Sequence, residues 1–209
     1  MRSAPRQARR SALTLAAFAA TVTLLLAGTW LATRARVEAN QNAARAMLLA
    51  QALPAELFDN DLAASRQPLP EAAALYLNGR PAANLYLARK AGQPSGVVFE
   101  AAAPNGYGGR IELLVGIAAD GKLQGVRVLA HKETPGLGDY IDLSVSDWAR
   151  QFSGRSSAAP APGWQLKKDG GALDYVSGAT ISARAVAAAV GRVAGYFRDH
   201  RQQLLQGNP

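Results

Sequence analysis

The longest apolar stretch of the chain lies near its N-terminus. Residues 11–33 carry no charged side chain and are rich in Leu, Ala and Val, with Trp30 near one end. At about 1.5 Å of rise per residue, a helix of this length spans about 34 Å, enough to cross a hydrocarbon core of ~30 Å. The apolar region of a cleaved signal peptide is usually only about 7–15 residues long. The pattern therefore predicts a retained transmembrane helix.

The next two segments predict a connector between this anchor and a folded domain. Residues 37–53 are low in Gly and rich in Ala, Leu and Gln, which predicts a helix that ends before Pro54. Residues 54–71 contain three prolines and scattered acidic residues, which predicts irregular structure. We therefore assign residues 34–70 to a helical and irregular connector and residues 71–209 to a domain.

Strand patterns begin at about Leu75. Apolar residues alternate along 111–117, and a second apolar run covers 123–129. Asp120-Gly121 between the two runs is typical of a hairpin turn. The pattern predicts an antiparallel hairpin with one face in a core.

Further strands are predicted at residues 84–89 and 97–102, and Asn78-Gly79 is a second hairpin signal. The glycine-rich residues 105–109 predict a tight turn or a bulge. They are not a phosphate-binding loop, because no Gly-Lys-Ser/Thr follows.

The C-terminal part of the chain predicts helices. Residues 144–152 fit a short helix, residues 153–163 an exposed loop and residues 164–168 a strand edge. A longer helix is expected to follow Ser182, its predicted N-cap. Four apolar residues recur there at helical spacing and predict the face that packs on the sheet: Val186, Val190, Val193 and Phe197. The elements together predict an α+β fold.

The charge distribution predicts the direction in which the apolar span crosses the membrane. The net charge is +8, but six arginines flank the apolar span, and the remaining 17 basic residues face 15 acidic ones. The rest of the chain has no basic run with interleaved aromatic residues, which argues against nucleic-acid binding. Four of these arginines precede the span and two follow it: Arg2, Arg6, Arg9, Arg10, Arg34 and Arg36. The positive-inside rule then places residues 1–10 in the cytoplasm and the domain outside, in the periplasm of a bacterium.

Several kinds of chemistry are excluded. The chain has no cysteine, and its two histidines, His131 and His200, lie far apart without clustered carboxylates. This argues against iron–sulfur ligation and a dedicated metal site. No G-x-S-x-G or strand-linked G-x-G-x-x-G motif occurs. The sequence therefore shows no self-contained site for substrate turnover.

One short stretch carries candidate chemistry. Residues 174–180 read D-x-x-S-G-A-T, with Gly178 and Ala179 between the hydroxyls of Ser177 and Thr180. A hydroxyl on a small-residue turn before a helix suits a phosphate, because free N–H groups and the positive end of the helix dipole attract it. Taken by spacing alone, an ordinary turn into a capped helix explains the same pattern.

A second stretch, residues 131–139, reads H-K-E-T-P-G-L-G-D and turns through Pro135, Gly136 and Gly138. By itself it also fits a solvated loop in which His131 and Glu133 pair at the surface.

The two stretches together resemble a known family. The first resembles the flavinylation motif of bacterial FMN-binding domains, and the second resembles a segment of the same proteins. Their order behind one transmembrane helix is similar to that in the RnfG family, the G subunits of Rnf ion-translocating electron transport complexes. The resemblance covers nearly the whole chain. It implies a single N-terminal transmembrane helix followed by an extracytoplasmic FMN-binding domain with an antiparallel sheet and packed helices.

The resemblance also implies site residues. FMN would be joined covalently, through a phosphoester, to Thr180 by a dedicated flavin transferase. Ser177, Gly178 and Ala179 would support the phosphate or the turn, and Asp174 would be recognised by the transferase. A flavin ring needs apolar walls and polar groups at its edge. Leu137 would contact its face, and Glu133, Thr134 and the backbone at Gly136 would address its edge.

The implied function is that of a membrane-anchored electron carrier. It would be one component of an ion-translocating ferredoxin:NAD oxidoreductase, in contact with other subunits and with the lipid bilayer. One alternative is the C subunit of the sodium-translocating NADH:quinone oxidoreductase, which has the same type of domain. Another is a flavin-free, membrane-anchored interaction module. The wording of residues 131–138 favours the Rnf family.

Overall fold

The computed structural model describes the backbone of residues 4–207, and the chain divides into two compact units between residues 44 and 45. The first unit contains most of a long helix, α1 (Ala4–Ala52). Within α1, Arg9–Val37 contains an 18-residue window with a mean hydropathy of 1.9, and the segment is exposed throughout. It is long and apolar enough to cross a membrane, as predicted for residues 11–33.

The second unit is built on a five-stranded antiparallel sheet whose spatial order follows the chain order. Its strands are β1 (Arg66–Pro68), β2 (Asn84–Lys90), β3 (Gln93–Gly106), β4 (Gly109–Ala118) and β5 (Leu123–Ala130). Two helices belong to this unit, α2 (Glu71–Asn78) and α3 (Thr180–Leu205). Short 3-10 turns lie at Ala55–Leu57, Gly138–Ile141, Asp147–Phe152, Ala161–Trp164 and Lys167–Asp169. The predicted α+β class is confirmed.

Helix α3 packs on one face of the sheet. The four apolar residues predicted to share its inner face are all buried, as expected from their spacing. They join a core that includes Phe99 and Val115 from the central strands. The N-terminal end of α3 is thereby fixed relative to the sheet.

The second face of the sheet is also covered, in addition to the one face that the alternating pattern placed in a core. Tyr86, Val98 and Leu114 project to this side and are buried against Leu49 and Leu53. The covering layer comes from the last turns of α1 and the segment that follows it. Strand residues therefore alternate between two cores, which explains the runs of consecutive buried residues in the middle of β2, β3 and β4.

A pair of glycines lets α1 come close to this face. Gly116 and Gly125 are cross-strand partners in β4 and β5. A Cβ at Gly116 would lie 2.1 Å from the carbonyl oxygen of Ala52, and one at Gly125 would lie 3.0 Å from it. Real Cβ atoms do not approach backbone this closely, so the pair forms the seat for the end of α1.

Three local predictions differ from the structure. Asn78-Gly79 is the end of α2, with Gly79 in the left-handed region at φ 68°, because the dipeptide also suits a helix C-cap. The predicted irregular segment contains β1, which pairs with β2. The predicted strand edge at 164–168 contributes only an isolated bridge, Leu166 to Leu173. The tight turn expected at residues 105–109 is confirmed, since Gly106 pairs with Gly109.

Candidate functional site

The D-x-x-S-G-A-T stretch lies at the start of α3. The helix begins at Thr180, with Ala179 at the N-cap position, so the prediction of Ser182 as N-cap is wrong. Ser182 already lies in the first helical turn, and its buried hydroxyl donates to Oε2 of Glu133 at 2.5 Å. The hydroxyl that was expected to cap the helix instead joins the two motifs.

The first turn of α3 keeps its polar groups available. Among the residues that the structure describes, no side chain caps this end of the helix, and the first turn of the helix contains no acidic residue. Its leading N–H groups therefore have no intrahelical acceptor and carry the positive end of the helix dipole. Within residues 4–207, the partly buried Thr180 also has no hydrogen-bond partner for its hydroxyl. An anion placed here would meet free donors and one free hydroxyl.

Tyr140 holds the turn that precedes the helix. Its buried hydroxyl donates to the carbonyl of Ala179 at 3.1 Å and accepts from the N–H of Val176 at 3.4 Å. Burial raises the pKa of Tyr140, and the bond from Val176 opposes that rise. The phenol stays protonated at neutral pH and can make both bonds at once.

The beginning of the motif is fixed at Asp174. Trp148 Nε1 donates to the Asp174 carbonyl at 2.6 Å, and Gln151 Oε1 accepts from the Asp174 N–H at 2.7 Å. The Trp148 ring meets Tyr140 edge to face, with 5.5 Å between centroids. The Asp174 carboxylate is exposed and lies 2.5 Å from Lys167 Nζ. The backbone of the motif is therefore clamped at both ends, while this carboxylate faces solvent.

Glu133 connects the second motif to its surroundings. It is 5% exposed, and besides the bond from Ser182 it accepts from the N–H of Gly108 at 3.1 Å through Oε1. Its own N–H donates to Nδ1 of His131 at 3.1 Å, and His131 Nε2 lies 3.9 Å from Asp142. The alternative of a surface pair between His131 and Glu133 is therefore excluded. Glu133 ties the H-K-E-T-P-G-L-G segment to α3 and to the β3–β4 turn.

Two glycines are required by packing around this carboxylate. A Cβ at Gly138 would lie 2.6 Å from Glu133 Oε2 and 2.9 Å from Ser182 Oγ. A Cβ at Gly108 would lie 2.0 Å from the Lys132 carbonyl oxygen. Gly138 and Gly108 thus let the second motif, the β3–β4 turn and α3 approach one another closely.

These elements enclose a cavity of about 350 Å³ beside the start of α3. Its lining residues are Tyr107, Glu133, Thr134, Leu137, Gly138, Gly178, Ala179, Ile181 and Ser182. Three large apolar side chains in this set are unusually exposed: Tyr107 at 71%, Leu137 at 55% and Ile181 at 48%. Apolar walls, a few polar groups and a free helix N-terminus suit a planar ring that carries a phosphate. The residues present therefore fit FMN.

The structure brings most of the predicted site residues together. Of those expected from the sequence, Glu133, Thr134, Leu137, Gly178 and Ala179 line the cavity. Thr180 stands between two lining residues at the start of the helix. Three other predicted residues, Asp174, Ser177 and Gly136, are exposed and are not part of the lining that the structure describes.

Other residues of the site were missed by sequence reasoning. They are Tyr107, Gly138, Ile181 and Ser182 in the lining, and Tyr140, Trp148 and Gln151 behind the motif. Tyr107 gave a usable signal, because it is the one aromatic residue of the glycine-rich segment 105–109. The residues behind the motif gave none, since their contacts are distant in sequence.

Comparisons with known proteins agree with this geometry. The FMN-binding domain model matches residues 106–194, and the RnfG N-terminal region model matches residues 1–52. The G subunit of the ion-translocating oxidoreductase complex of Pseudomonas aeruginosa strain UCBPP-PA14 is 46% identical, over 96% of this chain and 93% of its own length. This chain belongs to the family of G subunits of ion-translocating oxidoreductase complexes. The G subunit of Vibrio cholerae strain M66-2 is 41% identical over 96% of both chains, and that of Pseudoalteromonas atlantica is 38% identical over 95% of this chain and 92% of its own.

Family membership confirms the predicted resemblance. The FMN-binding match begins at the β3–β4 turn and includes both motifs and most of α3. FMN is therefore the cofactor of this domain, and the domain is a membrane-anchored part of a complex with other subunits.

Proposed function

We propose that this protein carries electrons through a covalently bound FMN within an Rnf-type complex, which couples electron flow between ferredoxin and NAD to ion movement. The observation that carries the proposal is the cavity of about 350 Å³ beside the uncapped start of α3, where the Thr180 hydroxyl is free. FMN supplies the redox chemistry, and the chain supplies its position and surroundings.

The chemistry of its position supports the attachment through Thr180 that the family resemblance implies. A phosphoester needs a hydroxyl oxygen, and Thr180 offers one at the point where the helix dipole and free N–H groups favour a phosphate. A flavin transferase would form the bond from the Thr180 oxygen to the flavin phosphorus of an activated flavin dinucleotide. The phosphoanhydride bond at that phosphorus would break, the other nucleotide would leave as its monophosphate, and the hydroxyl proton would go to solvent. The exposed carboxylate of Asp174 is accessible to such an enzyme. Ser177 and the backbone at Gly178 and Ala179 would support the turn or the phosphate.

The cavity walls then suggest roles for the second motif. Leu137, Ile181 and Tyr107 would contact the faces of the flavin ring, because they are apolar and exposed at the cavity. Thr134 and the backbone near Gly136 would address the polar edge. The carboxylate oxygens of Glu133 already accept bonds within the protein, so its main role would be to hold the site together.

The test is flavin attachment in two matched variants, produced together with the transferase. Thr180→Val keeps the shape of the side chain but removes the hydroxyl, so flavin fluorescence is expected to disappear from the denatured protein in a gel. Thr134→Val removes a hydroxyl from the same cavity and should keep the fluorescence. Ser177→Ala should also keep covalent flavin, since one lost hydrogen bond costs about 0.5–1.5 kcal/mol. Persistent fluorescence in Thr180→Val, or a wild-type intact mass without the FMN increment, would refute the attachment.

We further propose that the helix Arg9–Val37 spans the bilayer with the N-terminus in the cytoplasm and the domain in the periplasm. The proposal is supported by the four arginines before the span against two after it. A reporter that is active only outside the cytoplasm, fused after Pro209, should be active. A stable but inactive fusion would contradict the orientation.

The two alternatives have less support. The relatives described above are G subunits of ion-translocating oxidoreductase complexes, which favours an Rnf-type complex over the C subunit of the sodium-translocating NADH:quinone oxidoreductase. A flavin-free interaction module would purify as a colourless protein even after production with the transferase, whereas a flavoprotein is yellow.

A further inference from the structure

A second feature of the domain lies away from the flavin cavity. Strand β5 places Arg127 opposite Leu114 of β4, on the face of the sheet that the end of α1 covers. The side chain borders a groove of about 480 Å³ with apolar walls from Leu48, Leu129 and Leu143. None of these residues lines the flavin cavity.

The guanidinium of Arg127 is incompletely paired. Its Nη1 donates to the carbonyl of Val126 at 2.8 Å. Its Nε is buried and has no hydrogen-bond partner, and no carboxylate among the residues the structure describes lies within ion-pair distance of it. A guanidinium has five N–H donors, so most of the donor capacity of Arg127 is unused.

The surroundings of Arg127 further disfavour its positive charge. Burial lowers the pKa of Arg127, and the nearby positive charge of Arg150 lowers it further. The carboxylate of Asp142 also borders the groove, but it accepts from the Ser144 N–H at 2.9 Å and faces His131 at 3.9 Å. The groove thus holds one half-buried positive charge that makes no ion pair within the part of the chain that the structure describes.

Leaving a charged group partly desolvated and unpaired is unfavourable, and a carboxylate is the group that best relieves it. Arginine is also the cation most suited to buried interface ion pairs, because its planar fork matches a carboxylate. This chain belongs to a family of complex subunits, so partner proteins are present. We propose that the Arg127 groove binds another protein of the complex through an Asp or Glu flanked by apolar side chains.

The first test reverses the charge in the assembled complex. Full-length Arg127→Glu would be produced with the other subunits and purified in mild detergent through a tag on this chain. We expect the recovered partner subunits to fall at least about tenfold, because loss of a half-buried interface charge pair mainly raises the dissociation rate. Covalent flavin should stay at the wild-type level, which separates this result from any failure of the flavin proposal. Arg198→Glu reverses an exposed arginine on α3 and should keep wild-type recovery.

The second test begins with cross-linking in a chain that keeps Arg127. A photo-reactive amino acid at Leu143 should cross-link to one partner protein of the complex, at a segment that contains Asp or Glu. The same amino acid at Tyr76, which is 54% exposed on α2, should not give that product. Changing the identified acid to Arg should restore recovery in the Arg127→Glu background. Wild-type recovery of Arg127→Glu, or cross-linking at Leu143 to lipid or to no partner protein, would overturn the proposal.

Discussion

At the scale of single residues, the phenol of Tyr140 is the group that fixes the turn where we propose that flavin is attached. It makes two bonds to the backbone on either side of Ser177-Gly178, at Val176 and Ala179. These bonds fix the backbone of the turn and therefore the directions of its side chains. Tyr140 is therefore a positioning residue, since it acts on Thr180 through the turn.

We predict that Tyr140→Phe weakens the turn but keeps the packing of the ring. The carbonyl of the buried Ala179 would lose its donor, at a cost of about 1–3 kcal/mol in the free energy of unfolding. Covalent flavin should decrease without disappearing, because Thr180 is intact. Chemical unfolding and in-gel fluorescence measure the two effects. Tyr76→Phe, at an exposed site, is the control and should change stability by less than about 0.5 kcal/mol. Equal effects in both variants would contradict the role of Tyr140.

The residue scale also shows where sequence reasoning reached its limit. Residue types and spacing in the two motifs were enough to select Glu133, Thr134, Leu137, Gly178 and Ala179, which the fold brings to one cavity. The role of Glu133 was not predictable, because its partners lie in distant segments. Burial turns this glutamate into a link between the motifs, and no local pattern reports burial of a polar residue.

At the scale of elements, the strands of the sheet were predicted from the sequence, but the packing on its second face was not. The alternating pattern and the Asp120-Gly121 turn were sufficient for the β4–β5 hairpin. The same pattern predicted one face in a core and did not show that the second face is also covered. The end of α1 was predicted as a helix, but its packing depends on the Gly116–Gly125 pair, which a strand pattern only marks as a weak position.

We predict that Gly116→Ala separates α1 from the sheet. The added methyl would lie 2.1 Å from the Ala52 carbonyl oxygen, and backbone cannot move aside as a flexible side chain can. Overpacking of this kind costs about 1–3 kcal/mol or more in the free energy of unfolding. Chemical denaturation of the variant measures the loss.

The matched control for that change is Gly195→Ala. Gly195 lies within α3, and a Cβ there meets nothing within 4 Å. Alanine favours a helix over glycine by about 0.5–1 kcal/mol, so this variant should be as stable as the wild type or more stable. If Gly116→Ala were equally harmless, the close approach of α1 to the sheet would be wrong.

At the scale of the whole molecule, the arginine-rich N-terminal part ends before residue 37, whereas the buried core of the domain begins only near Leu49. All six flanking arginines lie before residue 37, so residues 37–209 carry 17 basic and 15 acidic residues and are nearly balanced. The core of the domain, however, begins within α1, since Leu49, Ala52 and Leu53 are fully buried. The helix that carries the apolar span thus also supplies a covering layer of the domain.

The last prediction compares two soluble fragments of the chain. Residues 37–209 retain the end of α1 and should give a soluble, cooperatively folded domain that binds the membrane complex weakly, having lost the span. Residues 54–209 lose Leu49 and Leu53, and burial of each side chain contributes about 1.5–3 kcal/mol. This loss is a large part of the total stability, because domains are stable by only about 5–15 kcal/mol. Tyr86, Val98 and Leu114 would also become exposed. The shorter fragment should therefore aggregate or unfold at much lower temperature. Size-exclusion chromatography and thermal unfolding by circular dichroism distinguish the two. Aggregation of residues 37–209 would show that the anchor is part of the fold, and a stable fragment 54–209 would show that the end of α1 is dispensable.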